Sequence, residues 1–201
     1  MKDVKLTING IIVEVPEGST LLEAARSIGV HIPTLCHDKQ LTIGGACRMC
    51  VVEVEGPAGS TRLEPACSYP VREGMVARTN TAEVRNARRT IIELILANHP
   101  HSCQTCIRNG RCQLQSLCRE YSIGEYKYEG ERRHFKQDIS SEAITRHPEY
   151  CILCGKCVRV CREVQKVYAL DFVNRGFSTV VLPAFDRELS QSVCVLCGQC
   201  L

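Results

Sequence analysis

Cys151-Ile152-Leu153-Cys154-Gly155-Lys156-Cys157-Val158-Arg159-Val160-Cys161 decides the architecture of this 201-residue chain. Three cysteines stand two residues apart, and a fourth follows after three more. Two-residue steps let successive thiolates converge on one small cage, while the displaced fourth sulfur is free to serve a different one. The pattern returns as Cys194-Val195-Leu196-Cys197-Gly198-Gln199-Cys200 after a 32-residue insertion, so the C-terminal part of the chain is an internal repeat.

This is the bacterial ferredoxin arrangement, in which three close thiolates hold one 4Fe-4S cube and the fourth crosses to the neighbouring cube. By the crossed rule Cys161 completes the cluster of Cys194, Cys197 and Cys200. Cys151, Cys154 and Cys157 are then one ligand short, because the residue that would complete their set lies past Leu201. The expectation is a chain truncated inside a motif; a non-cysteine fourth ligand is the other way to complete the set. Arg162 stands where the ferredoxin run carries proline. Structural zinc would pair two C-x2-C knuckles into one tetrahedral set, and a triplet with a displaced fourth suits cubes better.

Working toward the N-terminus, Cys36-x10-Cys47-x2-Cys50-x16-Cys67 has the close middle pair and distant outer ligands of a 2Fe-2S loop. Plant-type ferredoxins have four residues in the first gap, so ten is a variant. Gly44 and Gly45 leave room for backbone amides to approach bridging sulfides, since no Cβ intervenes. His37 is expected to be a bystander. Before this loop, Val4–Ile8 and Ile11–Val15 flank Asn9-Gly10, a two-residue hairpin turn. Ser19 and Thr20 then offer N-caps for a helix from Leu21 to Ile28 ending at Gly29. Hairpin, helix and cysteine loop is a β-grasp order, so residues 1–80 are expected to form an α+β 2Fe-2S ferredoxin-like domain.

Between the two ends, Cys103-x2-Cys106-x5-Cys112 supplies three ligands, and spacing leaves the fourth open between His99 and Cys118. His101 is separated from Cys103 by Ser102 alone and has little slack. A helix is expected from about Thr81 to Ala97, with Asn80 as N-cap and Glu83 closing a capping box. Its apolar face would be Val84, Ala87, Ile91, Leu94 and Ile95. The resulting map is a small helical His-Cys cluster domain at 81–120, a linker or covering segment at 121–140, and a bacterial-type two-cluster ferredoxin domain at 141–201.

Composition agrees with a metal-supported scaffold. Fifteen cysteines and only ten aromatics leave a thin apolar core for a chain of this length. Disulfides are disfavoured by the odd count and by an N-terminus without an apolar secretory stretch, which points to a reducing cytoplasm. The longest apolar run, Ile91–Ala97, is broken by Glu93 and falls far short of the ~20 residues of a membrane span. Net charge is +3, with acidic residues interleaved throughout. Arg85, Arg88, Arg89, Arg132 and Arg133 are therefore expected on a solvated face rather than against nucleic acid.

Taken together, His99-x3-Cys103-x2-Cys106-x5-Cys112, the 2Fe-2S loop before it and the two ferredoxin runs after it resemble the electron-transfer module of iron-only hydrogenases. The same module is found in the large iron-sulfur subunit of NADH dehydrogenase, in NAD-linked formate dehydrogenases and in the diaphorase subunit of NAD-reducing hydrogenases. Asn109-Gly110-Arg111-Cys112-Gln113-Leu114-Gln115 and Asn174-Arg175-Gly176-Phe177 look closest to the multimeric, NAD(P)H-linked hydrogenase type. The resemblance implies that His99 is the fourth ligand and Cys118 is none. It implies one 2Fe-2S cluster and two to three 4Fe-4S clusters. The partners it implies are a flavin-bearing NAD(P)H-oxidising subunit, a small 2Fe-2S subunit and possibly a ferredoxin. No G-x-G-x-x-G, P-loop or C-x3-C-x2-C motif is found, so no substrate site is expected in this chain.

Overall fold

The computed structural model describes residues 2–124, 127–128 and 130–201; positions 125, 126 and 129 of the expected 121–140 linker lie outside the described residues. The chain divides into two compact units. One comprises Met1–Leu35, Cys47–Glu93 and Gln113–Glu125, and the other Cys36–Ala46, Leu94–Cys112 and Tyr126–Leu201.

The first unit is built on the expected hairpin. Strand β1 (Asp3–Ile8) pairs antiparallel with β2 (Ile11–Pro16), Val4 opposite Val15 and Ile8 opposite Ile11. Asn9 (φ 51°) and Gly10 (φ 83°) both sit at positive φ, the geometry a two-residue turn needs to match strand twist. Alternation sends Val4, Leu6 and Ile8 inward from β1 and Val13 and Val15 inward from β2. Helix α1 (Leu21–Ser27) begins at Thr20, whose hydroxyl accepts the Glu23 N–H while the Glu23 carboxylate accepts the Thr20 N–H, a reciprocal cap. It ends as expected, with Gly29 at φ 73°.

Strands β3 (Val51–Glu55), β4 (Thr61–Pro65) and β5 (Val76–Arg78) complete a five-stranded sheet in the order β2-β1-β5-β3-β4, with β5 parallel to β1. Leu21, Leu22, Ala24 and Ala25 of α1 pack with the inward strand residues, Ile32, Val71 and Met75 into one continuous core. The thin core inferred from composition is thus unevenly spread, because this unit holds most of the buried aliphatic residues.

Helix α2 (Ala82–Ala97) starts one residue later than expected, and Thr81, not Asn80, caps it by accepting the Val84 N–H at 3.2 Å. Its buried side chains are Val84, Arg88, Ile92 and Leu96, a strict i, i+4 spine, whereas Leu94 is exposed. The buried face is rotated from the expected one because hydropathy does not place an arginine inside. Helix α3 (Gln113–Glu120) buries Leu114 and Leu117. Its end is tied to α2 by Arg88 to the Tyr121 hydroxyl and Arg89 to the Tyr121 carbonyl.

The second unit has less regular structure: helix α4 (Lys156–Glu163) and a short hairpin of β6 (Asp171–Val173) and β7 (Val180–Leu182). Its core is Ile144, Val158, Leu170, Val181 and Leu189, against which Cys151, Cys157, Cys194 and Cys200 pack. Arg162 in place of proline keeps its backbone N–H, so α4 runs on to Glu163. Among the described residues, no helix is long and apolar enough to cross a membrane.

Candidate iron-sulfur sites

Among the described residues no cysteine is paired in a disulfide. The two ferredoxin runs share one local geometry. Leu153 and Leu196 both take φ 54°, and Gly155 and Gly198 take φ 69° and 72°. A leucine in this left-handed region costs roughly 1–2 kcal/mol, and the strain turns its amide inward. The Leu153 N–H reaches Cys151 Sγ at 3.4 Å and the Leu196 N–H reaches Cys194 Sγ at 3.4 Å. The same i+2 contact recurs at Met49 to Cys47 Sγ (3.4 Å) and Arg108 to Cys106 Sγ (3.5 Å), with Arg48 at φ 58°. Oriented amides of this kind form concavities that favour anionic sulfur.

Cys161, Cys194, Cys197 and Cys200 line one pocket of about 380 Å³, its mouth included, walled by Ile144, Val160, Val167 and Leu170. The Ala169 N–H donates to Cys161 Sγ at 3.2 Å. Burial pushes the Cys200 thiol up, and Cys194, Cys197 and Cys161 add their repulsion. Cys157 is pushed up to about 12, first by burial and then by Cys151 and Cys154. Burial and Cys154 also raise Cys151, against the opposing pull of Arg133 and Arg146. These groups would rest as thiols without a cation, and a bound metal deprotonates them. Four cysteines lining one apolar-walled opening, two of them accepting backbone N–H bonds at sulfur, are a donor set that fits an iron-sulfur cluster. Among the described residues, no three His, Cys, Asp or Glu side chains are arranged to hold a single metal ion.

In the first unit Cys50 and Cys67 are buried in the main core, and the Ala66 N–H donates to the Cys50 carbonyl at 3.1 Å, holding the two cysteine segments together. Cys47 is half-buried. Cys36, also buried, begins the 36–46 loop of the second unit. In the His-Cys segment, Cys106 and Cys112 are half-buried and Cys103 is exposed, with the Cys106 N–H bonded to the Cys103 carbonyl. His99 Nδ1 lies 2.8 Å from the Pro100 carbonyl, and the ring meets Tyr150 edge-on at 5.7 Å. A ring nitrogen turned to a backbone carbonyl is the usual bearing of a ligating histidine. Burial lowers the His99 pKa, favouring the neutral imidazole that metals bind. His101 has both nitrogens engaged, Nε2 with the Leu96 carbonyl at 3.0 Å and Nδ1 with Arg132 at 3.1 Å. Cys118 is half-buried on α3, in the first unit.

Two arginines lie beside these sites in interior positions that hydropathy does not predict. Arg88 is only 3% exposed and donates to the Val51 carbonyl at 2.7 Å, next to Cys50, so the solvated face expected for it is corrected to an interior position. Arg159, 6% exposed, donates to the carbonyls of Cys36 and Thr42. A cation flanked by cysteines two residues away on each side was the only available signal.

Residues 1–82 match the 2Fe-2S iron-sulfur cluster binding domain model, and residues 88–126 match the NADH-ubiquinone oxidoreductase-G iron-sulfur binding region. The chain is 44% identical over its whole length to the NADP-reducing hydrogenase subunit HndD of Solidesulfovibrio fructosivorans, covering 35% of that protein. It is 36% identical to the NADH-ubiquinone oxidoreductase 75 kDa subunit of Reclinomonas americana, with 96% of the chain and 28% of that protein aligned. Against a crystal structure of NAD+-reducing NiFe hydrogenase in the H2-reduced state the TM-score is 0.88 at 28% identity, covering 95% of this chain and 80% of that one. The chain thus spans about a third or less of the length of these curated relatives.

Proposed function

We propose that this chain is an iron-sulfur module of the family that unites NADH-quinone oxidoreductase G proteins with NADP-reducing hydrogenase subunits, and that it carries single electrons between a flavin-bearing NAD(P)H-oxidising subunit and a hydrogenase-type catalytic centre. The observation that carries this reading is the pocket lined by Cys161, Cys194, Cys197 and Cys200, with the same amide-to-sulfur turn repeated at Cys151 and Cys194. Each cluster, when bound, supplies a site that takes up and releases one electron.

The protein's own residues fix where those sites stand. Cys36, Cys47, Cys50 and Cys67 would hold 2Fe-2S. His99, Cys103, Cys106 and Cys112 would hold one 4Fe-4S, and Cys161 with Cys194, Cys197 and Cys200 another. Cys151, Cys154 and Cys157 supply three ligands of a third. Inward amides at Met49, Leu153 and Leu196 favour the anionic sulfurs, and the aliphatic walls of the Cys161 pocket keep water off them. The working assembly is a cytoplasmic hetero-oligomer with the flavin subunit and a small 2Fe-2S subunit. The match over 88–126 favours a second setting, the same module within an NADH dehydrogenase.

Stopped-flow absorbance tests the role. With a flavin-bearing NAD(P)H dehydrogenase of this class present, adding NAD(P)H should bleach the visible absorbance of the protein. NAD(P)H alone should leave it unchanged, and bleaching without the flavoprotein overturns the reading.

A further inference from the structure

Helix α4 presents two different faces. Cys157 and Cys161 are four residues apart and share one side; Arg159 and Glu163, also four apart, lie about 200° around from Cys157 and Cys161 respectively. That second side grips the loop that begins at Cys36. Arg159 donates to the carbonyls of Cys36 and Thr42, and Glu163 accepts the Thr42 N–H at 2.7 Å and its hydroxyl. Gly44 lies under the guanidinium: a Cβ there would stand 3.1 Å from Arg159 Cζ, close enough that the cation would have to shift by a few tenths of an ångström.

Arg159 is buried, and among the described residues it forms no salt bridge; its guanidinium donates to the carbonyl oxygens of Cys36 and Thr42. A buried cation is costly unless an anion compensates it. A 2Fe-2S cluster held by four thiolates is such an anion, and reduction makes it more negative. We propose that Arg159 is a positioning and charge-compensating residue for the Cys36 limb of the 2Fe-2S site, so that α4 serves the two 4Fe-4S clusters of the ferredoxin runs with one face and the 2Fe-2S ligand loop with the other. This rests on the cluster assignment above. Loss of the cation disfavours the reduced 2Fe-2S state, while a lysine retains the charge and loses the fork that holds two carbonyls at once.

The test is an EPR-monitored redox titration of the full chain with Arg159→Gln, Arg159→Lys and Thr42→Val. Arg159→Gln should move the 2Fe-2S midpoint negative, lowering the reduced-to-oxidised ratio at the native midpoint up to tenfold, about 59 mV for a one-electron couple. Arg159→Lys should shift it less, and Thr42→Val, which loosens the loop without changing charge, should leave it in place. An unshifted 2Fe-2S midpoint in Arg159→Gln overturns the proposal. So does a Thr42→Val shift as large, or a greater shift at the 4Fe-4S signals. If Arg159→Gln sheds 2Fe-2S, Arg159→Lys decides: a retained cluster with a near-native midpoint supports the role, and loss there too leaves Arg159 only structural. A native chain without any 2Fe-2S signal would refute the cluster assignment instead.

Discussion

Removing iron should unfold the second unit and spare most of the first. The core of the second unit has five buried aliphatic side chains, Ile144, Val158, Leu170, Val181 and Leu189, with cysteines packed around them. At roughly 1.5–3 kcal/mol per buried side chain, these contribute on the order of 8–15 kcal/mol of gross burial. The first unit buries twelve comparable residues, from Val4 to Met75, on the order of 18–36 kcal/mol by the same measure. Its hairpin and capped helix also close their own hydrogen bonds. Metal-binding free energy is therefore folding free energy chiefly for the second unit. Hydrogen–deuterium exchange on chelated full-length protein checks this. Peptides from β1, β2 and α1 should stay protected, and peptides from 141–201 should exchange at unfolded rates. Protection retained across 141–201, or lost equally in both units, would show that metal does not hold the second unit folded in particular.

Three further outcomes follow from particular contacts. Cys161→Ser should abolish one 4Fe-4S signal and leave the 2Fe-2S signal intact, while Cys118→Ser leaves all EPR signals unchanged; the reverse would place Cys118 among the ligands. Thr20→Ala removes one half of the reciprocal α1 cap and should cost about 1 kcal/mol in urea unfolding of the first unit. For Asp138, burial alone would raise the carboxyl. Hydrogen bonds from Ser140 and Leu189 and the charge of Arg146 outweigh it, leaving the pKa lowered. A lowered folded pKa stabilises above the unfolded pKa and ceases to as pH falls. Asp138→Asn should therefore cost about 1.5–3 kcal/mol near neutral pH. That penalty should shrink below the ordinary carboxylate range, as read by pulsed amide exchange at Leu189.

What the sequence made legible was local. Asn9-Gly10 with alternating strands specified the hairpin, Thr20 with Glu23 specified the start of α1, and the cysteine spacing specified the repeated turns around Leu153 and Leu196. These signals lie within a few residues of one another, where backbone geometry and side-chain chemistry act directly. The long-range features were not legible. Hydropathy assigns arginine to solvent, so Arg88 and Arg159 were missed, although each is buried against carbonyl oxygens at or beside a cysteine. Nor could spacing show that residues 36–46 fold with residues 121 positions away, as Thr42 does with Glu163. The N-cap of α2 moved by one residue because Asn80 and Thr81 are both good caps, and the Thr81 hydroxyl is the one that reaches the Val84 N–H.

The proposed working state of this chain is an ordered set of iron-sulfur clusters that exchange single electrons. Coulometric reduction of anaerobically prepared protein, followed by EPR, tests it most directly. Iron and acid-labile sulfide should be present in equal amounts, with a 2Fe-2S signal together with 4Fe-4S signals and one electron taken up per cluster. A colourless protein that accepts no electrons and carries zinc instead of iron would contradict it.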